Sequence, residues 1–290
     1  MKMTAGEKVF QVFLLLFILL LCVIAIYPFI HIASVSFSAP KEAGRFGFHW
    51  FPRDVDLFSW KQLLTQKKIW IGMRNTTLRT VLGTLLTLIA MALAAYPLSR
   101  KHLPHRSFYT MIIVFTMFFS GGLIPTYLLI KDLHLLNNFW VYILPGLIPT
   151  FSMLIMRNFF MTIPVEVEES AKIDGANDMR ILWSIVLPLS KPVLATLGLW
   201  AAVANWNAWF DAIIYVTDTD LKTIQFFLRE VVVTSADAEI FGRVTGAANL
   251  QYETSIKAAT VIFAVVPILV VYPFLQKYFV KGTMVGSLKG

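Results

Sequence analysis

Charge is the scarce commodity in this sequence. Asp, Glu, Lys and Arg make up only 14% of its 290 residues, against 57% hydrophobic. A soluble domain carries about 25% charged residues and could not cover its surface with so few. The shortage excludes a disordered chain, a soluble nucleic-acid binder and a secreted disulfide scaffold. Cysteine is nearly missing as well. Cys22 stands alone inside an apolar run, so no intrachain disulfide can form and the residue reads as a small packing or lipid-facing group. Acids are outnumbered by bases, 17 to 25, for a net charge of +8. The excess sits between long apolar runs, where it marks membrane orientation rather than nucleic-acid binding.

Chemical motifs are missing too. No G-x-x-x-x-G-K-[ST] occurs, so there is no phosphate cradle. Neither H-E-x-x-H nor G-x-S-x-G occurs. His102 and His105 are the only close pair of histidines, and they fall in a basic turn that reads as a solvated cytoplasmic loop. An ion-driven carrier needs ionisable groups across the bilayer. Here Asp211, Arg79 and His31 sit near the ends of apolar runs, and no chain of acids crosses. Uphill movement would therefore draw its energy from another subunit. An integral membrane enzyme would need a polar catalytic cluster, and none is visible.

What is present is apolar length. About 20 apolar residues cross about 30 Å of hydrocarbon as a helix. Six stretches qualify, at about 9–34, 76–98, 108–130, 139–161, 190–216 and 258–280. Pro125, Pro145, Gly146 and Pro149 fall inside them, which spanning helices tolerate. The first run is about twice the length of a signal-peptide core, favouring a retained helix over cleavage near Ala33 and Ser34. Segment 99–107 carries Arg100, Lys101 and Arg106 without an acid, whereas 131–138 carries only Lys131 and Asp132. The positive-inside rule puts 99–107 in the cytoplasm. Both termini and segment 162–189 then lie inside, and 37–75 and 217–257 lie outside. Trp50, Phe58, Trp60, Leu63 and Trp70 interleave with charges in the first outer segment, as in short interfacial helices. Phe226, Phe227 and Val231 to Val233 precede a polar run from Ser235 to Glu239 in the second. Either segment could meet an extracytoplasmic partner or simply pack over the bundle. The organisation expected is a first helix with its outer segment at 1–75, a core membrane region at 76–280 that includes the cytoplasmic loop 162–189, and a cytoplasmic tail at 281–290.

Segment 162–189 is punctuated. Pro164 suits a helix start, where its missing N–H does no harm. Glu166, Glu168 and Glu169 follow, where the helix dipole favours acids. Gly175 suits a left-handed stop, Asn177 or Asp178 can cap a second helix, and Pro188 ends it. The reading is two short helices joined by a glycine bend, forming a rigid cytoplasmic knob.

Glu169, Ser170, Ala171, Gly175, Ile185, Leu187 and Pro188 fall at the spacing E-[AS]-A-x-x-x-G-x9-I-x-L-P. This resembles the EAA motif of the transmembrane subunits of ABC importers, with Ser170 in place of the usual Ala. Met156 to Phe160, Ile173-Asp174-Gly175-Ala176, Leu135 to Trp140, Asn205 to Asp211 and the closing Gly286-Ser287-Leu288-Lys289-Gly290 are similar to maltose-type carbohydrate permeases of the second, six-span subunit type. The resemblance implies an all-α integral membrane protein with six transmembrane helices in the type I ABC importer permease fold. It implies a non-enzymatic subunit that binds no cofactor, with ATP and Mg on a partner ATPase. It implies a second permease subunit, two ATPase subunits, an extracytoplasmic solute-binding protein and a carbohydrate cargo, an oligosaccharide or polysaccharide fragment, in the cell membrane and without nucleic acid. Glu168, Glu169, Ser170, Ala171, Asp174, Gly175, Ile185, Leu187 and Pro188 would couple to the ATPase. Gly286, Lys289 and Gly290 would reach the ATPase interface. Asn205, Trp206, Asn207 and Trp209 suit a sugar path, since amides bond hydroxyls and indoles stack on sugar rings. Interhelical bonding and interfacial placement explain the same four residues equally well.

Overall fold

A computed structural model describes residues 4–45, 47–233 and 254–271. Among these residues the secondary structure is helical, with one isolated antiparallel bridge between Ser38 and Val55. The chain divides into two compact units, Met1–Trp70 with Leu228–Val266, and Ile71–Phe227 with Pro267–Gly290.

In the first unit, a 32-residue helix runs from Ala5 to Ser36. Thr4 and Glu7 form a reciprocal capping box at its start. Its residues from Val12 to Ile26 are exposed and apolar on every side, which is what a lipid-facing span requires. The chain then turns through Pro40–Ala43 into a short helix, Phe58–Thr65. Phe37 stacks on Trp60 with ring centres 5.3 Å apart, and Trp70 donates its indole N–H to the Leu64 carbonyl at 2.8 Å. Short helices are thus present in the first outer segment, with Trp60 in the second of them, while Trp70 belongs to the long helix that follows. Val35, Ala43 and Ala258 form a small core here, and Ser59 bonds Ser255.

A 33-residue helix, Lys67–Ser99, leads into the second unit. It begins well before the expected 76, because Lys67, Lys68 and Arg74 lower the hydropathy without interrupting the helix. At 1.5 Å per residue it spans roughly 50 Å, longer than the hydrocarbon layer. Among the described residues three helices are long and apolar enough to cross a membrane: Gly6–Ser36, Lys67–Ser99 and Thr254–Val271. Where single spans were expected at 108–130 and 139–161, the helices are broken. Arg106–Phe118 meets Leu123–Asp132 at 114°, across Phe119-Ser120-Gly121-Gly122, where Gly122 has φ +87°. Phe139–Gly146 meets Thr150–Phe160 at 53°, across a connection ending in Pro149. A third break, of 85°, separates Asp178–Leu189 from Lys191–Ile214 at Ser190, which is flanked by Pro188 and Pro192. Counting each bent pair as one span gives up to 6. Of the expected sixth span, residues 272–280 lie outside the described residues.

The largest apolar cluster among the described residues holds segment 162–189 against the helices behind it. Met91, Ala92 and Ala95, Met153, Met156 and Phe160, Ile181, Leu182 and Val186, and Leu197 are all buried in it. It joins three helices of the unit to segment 162–189, so that segment is built into the core rather than tethered to it.

Candidate functional site

Segment 162–189 forms the two-helix knob. Pro164 caps the helix Val165–Ile173, with Glu166 and Glu168 in its first turn. Asp174 ends it, and Gly175 follows with φ +79°. The Ala176 N–H donates to the Ala171 carbonyl at 2.9 Å, and the Gly175 N–H to the Lys172 carbonyl at 3.0 Å. Those two bonds make a Schellman stop, which demands a left-handed residue at 175 and a small apolar contact between 171 and 176. Both alanines pack on the main core. The alanine of the motif is therefore explained by packing and the glycine by backbone conformation.

The second helix begins at Asp178. Asn177 accepts from the Arg180 N–H at 2.8 Å, the expected cap. Lys172 pairs with Asp178 at 3.1 Å across the bend. The helix does not stop at Pro188. It passes through a π-helical turn, Leu182–Val186, and continues as Leu187–Leu189. The wider turn precedes the proline whose missing N–H would break a regular ladder.

The motif residues divide by exposure. Glu169, Ser170, Asp174, Gly175 and Pro188 are exposed, and Ile185 and Leu187 are half-buried, Leu187 against the core. Ser170 turns its hydroxyl back to the Glu166 carbonyl at 2.9 Å, so the departure from alanine is absorbed within the helix. Glu168 is 5% exposed and pairs with Arg100, itself 8% exposed. Burial pushes the Glu168 carboxyl above its ordinary pKa, while Arg100 and Lys172 pull it down. Glu168 thus faces inward and Glu169 outward, although adjacent in sequence.

Arg100 was not among the sequence candidates. It belongs to a basic turn that reads as solvated, and its partner lies far along the chain. The knob also exposes apolar surface that the motif does not mention. Ile173 is 87% exposed, and Met179 and Trp183 are about half exposed. These side chains beside an exposed carboxylate give a face fit for a protein partner.

The four candidate path residues are not alike. Trp206 is buried, Asn205 and Trp209 are half-buried, and Asn207 is exposed at the end of the helix Lys191–Asn207. Asn205 donates to the Ala201 carbonyl at 2.9 Å and packs on Gly83, where an added Cβ would lie 2.9 Å from its Oδ1. These contacts favour an interhelical role for Asn205. Gly83→Val is expected to cost about 1–3 kcal/mol of stability through overpacking. Thermal unfolding of the purified complex would read it, and an unchanged midpoint would count against the close contact.

Asp211 and Arg79, two of the three ionisable groups near the ends of apolar runs, find each other. Arg79 donates from Nη1 to Asp211 Oδ1 at 3.0 Å, with a second contact between Nη2 and Oδ2. Its guanidinium also lies 4.8 Å from the Tyr142 ring centre. Beyond the pair, Asn137 accepts from the Thr217 N–H at 2.6 Å and the Asp218 N–H at 3.1 Å, knitting the 133–138 turn to 215–218. No group of three or more metal-ligating residues occurs among the described residues. Gly286, Lys289 and Gly290, and the outer run from Ser235 to Glu239, lie outside the described residues.

Comparison with known proteins places this geometry among relatives. Residues 69–285 match the family described as binding-protein-dependent transport system inner membrane component. The polygalacturonan/rhamnogalacturonan transport system permease protein YtcP of Bacillus subtilis (strain 168) is 39% identical over 284 residues, covering 98% of this chain and 99% of its own. Protein LplC of the same organism is 40% identical over 290 residues, covering 100% and 98%. Among solved structures, a chain of a bacterial ABC transporter involved in the import of the acidic polysaccharide alginate superposes with a TM-score of 0.87 at 31% identity, covering 96% of this chain and 99% of that one.

Proposed function

Because the chain belongs to the family of binding-protein-dependent transport system inner membrane components, we propose that it is one of two permease subunits lining the path of an ATP-driven carbohydrate importer. It is a helical membrane protein of the ABC permease fold and a non-enzymatic subunit. The cargo is an oligosaccharide or a polysaccharide fragment, in keeping with the saccharides named for its relatives. Hydrolysis of MgATP falls to a pair of partner ATPase subunits. A solute-binding protein delivers the sugar from outside. Both termini face the cytoplasm, on the argument from segment 99–107.

One observation carries the mechanism. Segment 162–189 is a knob fixed by the main core, with Glu169 and the apolar Ile173, Met179 and Trp183 turned outward. An ATPase that closes around such a knob gains apolar burial and a charge-assisted bond to the carboxylate. Because the knob is fixed to the helices behind it, its displacement moves them. Glu169→Ala removes the bond without disturbing the fold, since the side chain is exposed. Reconstituted with its companion subunits, that variant is expected to lose uptake and sugar-stimulated ATP hydrolysis by about tenfold, the equivalent of roughly 1.4 kcal/mol. Undiminished uptake and stimulation in the variant would sink the docking assignment.

A further inference from the structure

We propose that the buried Arg100–Glu168 pair is a strut through which the knob drives the Lys67–Ser99 helix, with both side chains acting as positioning residues. The inference rests on the permease reading above. Arg100 is the residue immediately after that helix. Its guanidinium lies 4.7 Å from the centre of the Tyr96 ring, which belongs to the last turn. The charged head is thus held against the helix it follows. On the far side it meets Glu168, on the inward face of Val165–Ile173. Arg157 donates to the Leu98 carbonyl at 3.0 Å, which ties the same helix end to Thr150–Phe160. One charged contact therefore joins the knob to a helix end that is itself fastened to a second helix.

The surroundings show why this contact matters. Arg100 lines two clefts, of about 350 Å³ and 280 Å³. The first is bounded by Glu168, Glu169 and Lys172, the second by Tyr96, Asp178 and Met179. The larger cleft borders both members of the pair, and the smaller borders Arg100 alone. The apolar contacts that the Val165–Ile173 stop makes with the core come from small residues, Ala171 and Ala176. Apolar contact is non-directional and lets surfaces slide. A buried ion pair resists separation, because sliding the two groups apart would leave an uncompensated charge on each side. A buried pair contributes little net stability compared with apolar packing of the same volume. Its effect here is to keep the knob from sliding over the helix when pushed.

The test compares Arg100→Glu, Glu168→Arg and the exchange carrying both, each reconstituted with the second permease, the ATPases and the saccharide-loaded binding protein. Each single variant sets two like charges together in a buried site and is expected to lower the yield of assembled complex, so uptake is read per complex recovered with the ATPase. Their maximal uptake should fall at least about tenfold, while the ATP and binding-protein concentrations at half-maximal rate stay within about twofold. The exchange should restore at least about a third of the lost rate, as coupled residues do. Single variants that transport normally would overturn the strut. So would an exchange that restores nothing. Failure of both single variants to assemble, even with rescue by the exchange, would assign the pair to folding alone and overturn the coupling role. Absence of ATP-driven uptake by the unaltered complex would instead overturn the permease reading, and the strut with it.

Discussion

Arg79→Leu is expected to destabilise the protein by about 3–5 kcal/mol, because it strips a half-buried carboxylate of its paired arginine. Arg79 is 4% exposed, and its guanidinium meets both oxygens of Asp211. The pair ties the Lys67–Ser99 helix to the first turn of Phe210–Ile214, beyond the break that follows Asn207. Arg79 also donates to the Ala208 carbonyl at 3.4 Å, in the break itself. Removing the arginine leaves the local bend without its clasp and Asp211 partly shut away from water. Arg79→Lys should recover part of the loss, since a point charge replaces a two-pronged fork. The double change Arg79→Leu with Asp211→Leu should recover more, because it leaves no orphaned charge. Thermal unfolding of the detergent-purified complex and its abundance in membranes would measure the series. Equal midpoints for the unaltered chain and Arg79→Leu would refute the clasp, and a double variant no better than the single one would refute the orphaned-charge explanation.

How far such features can be read in advance depends on how local their cause is. Pro164, Gly175 and Asn177 each act within a few residues, through a missing N–H, a left-handed backbone and a cap. Their roles in the knob are legible in the sequence, and the structure has them in place. Hydropathy likewise finds the apolar stretches, because each is a local sum. It carries no angle, however. The 114° bend at Gly121-Gly122 and the 53° bend before Thr150 are invisible to it, although glycine and proline mark both places. The pairs are a different matter. Arg79 with Asp211, and Arg100 with Glu168, are each far apart in the chain and meet only once the helices pack. Sequence patterning gives Glu168 and Glu169 the same first-turn role, and only the packed knob separates them into a buried, paired carboxylate and an exposed one. The interhelical fit of Asn205 against Gly83 belongs to the same class. Small residues allow close approach, but the partner is named by tertiary geometry alone.

At Gly175 a graded series separates backbone from contact. The residue has φ +79°, and a Cβ built there would meet no heavy atom within 4 Å. Any penalty inside this chain therefore comes from the left-handed conformation and not from crowding. That conformation costs a branched residue about 1–3 kcal/mol, whereas asparagine adopts it comparatively readily. If valine at 175 instead returned to a right-handed conformation, the bonds from Ala176 to Ala171 and from Gly175 to Lys172 would open. The Asn177-capped helix, which carries the exposed Met179 and Trp183, would then shift. Gly175→Val is expected to lower uptake at least about tenfold, Gly175→Ala by less, and Gly175→Asn by no more than about threefold, in line with about 1.4 kcal/mol for each factor of ten. Uptake by the reconstituted complex, set beside co-purification with the ATPase, would give the order. Normal transport by the valine variant would mean that the bend has no mechanical part. Asparagine as damaging as valine would point to a side chain colliding with the docked partner, and the backbone explanation would have to be given up.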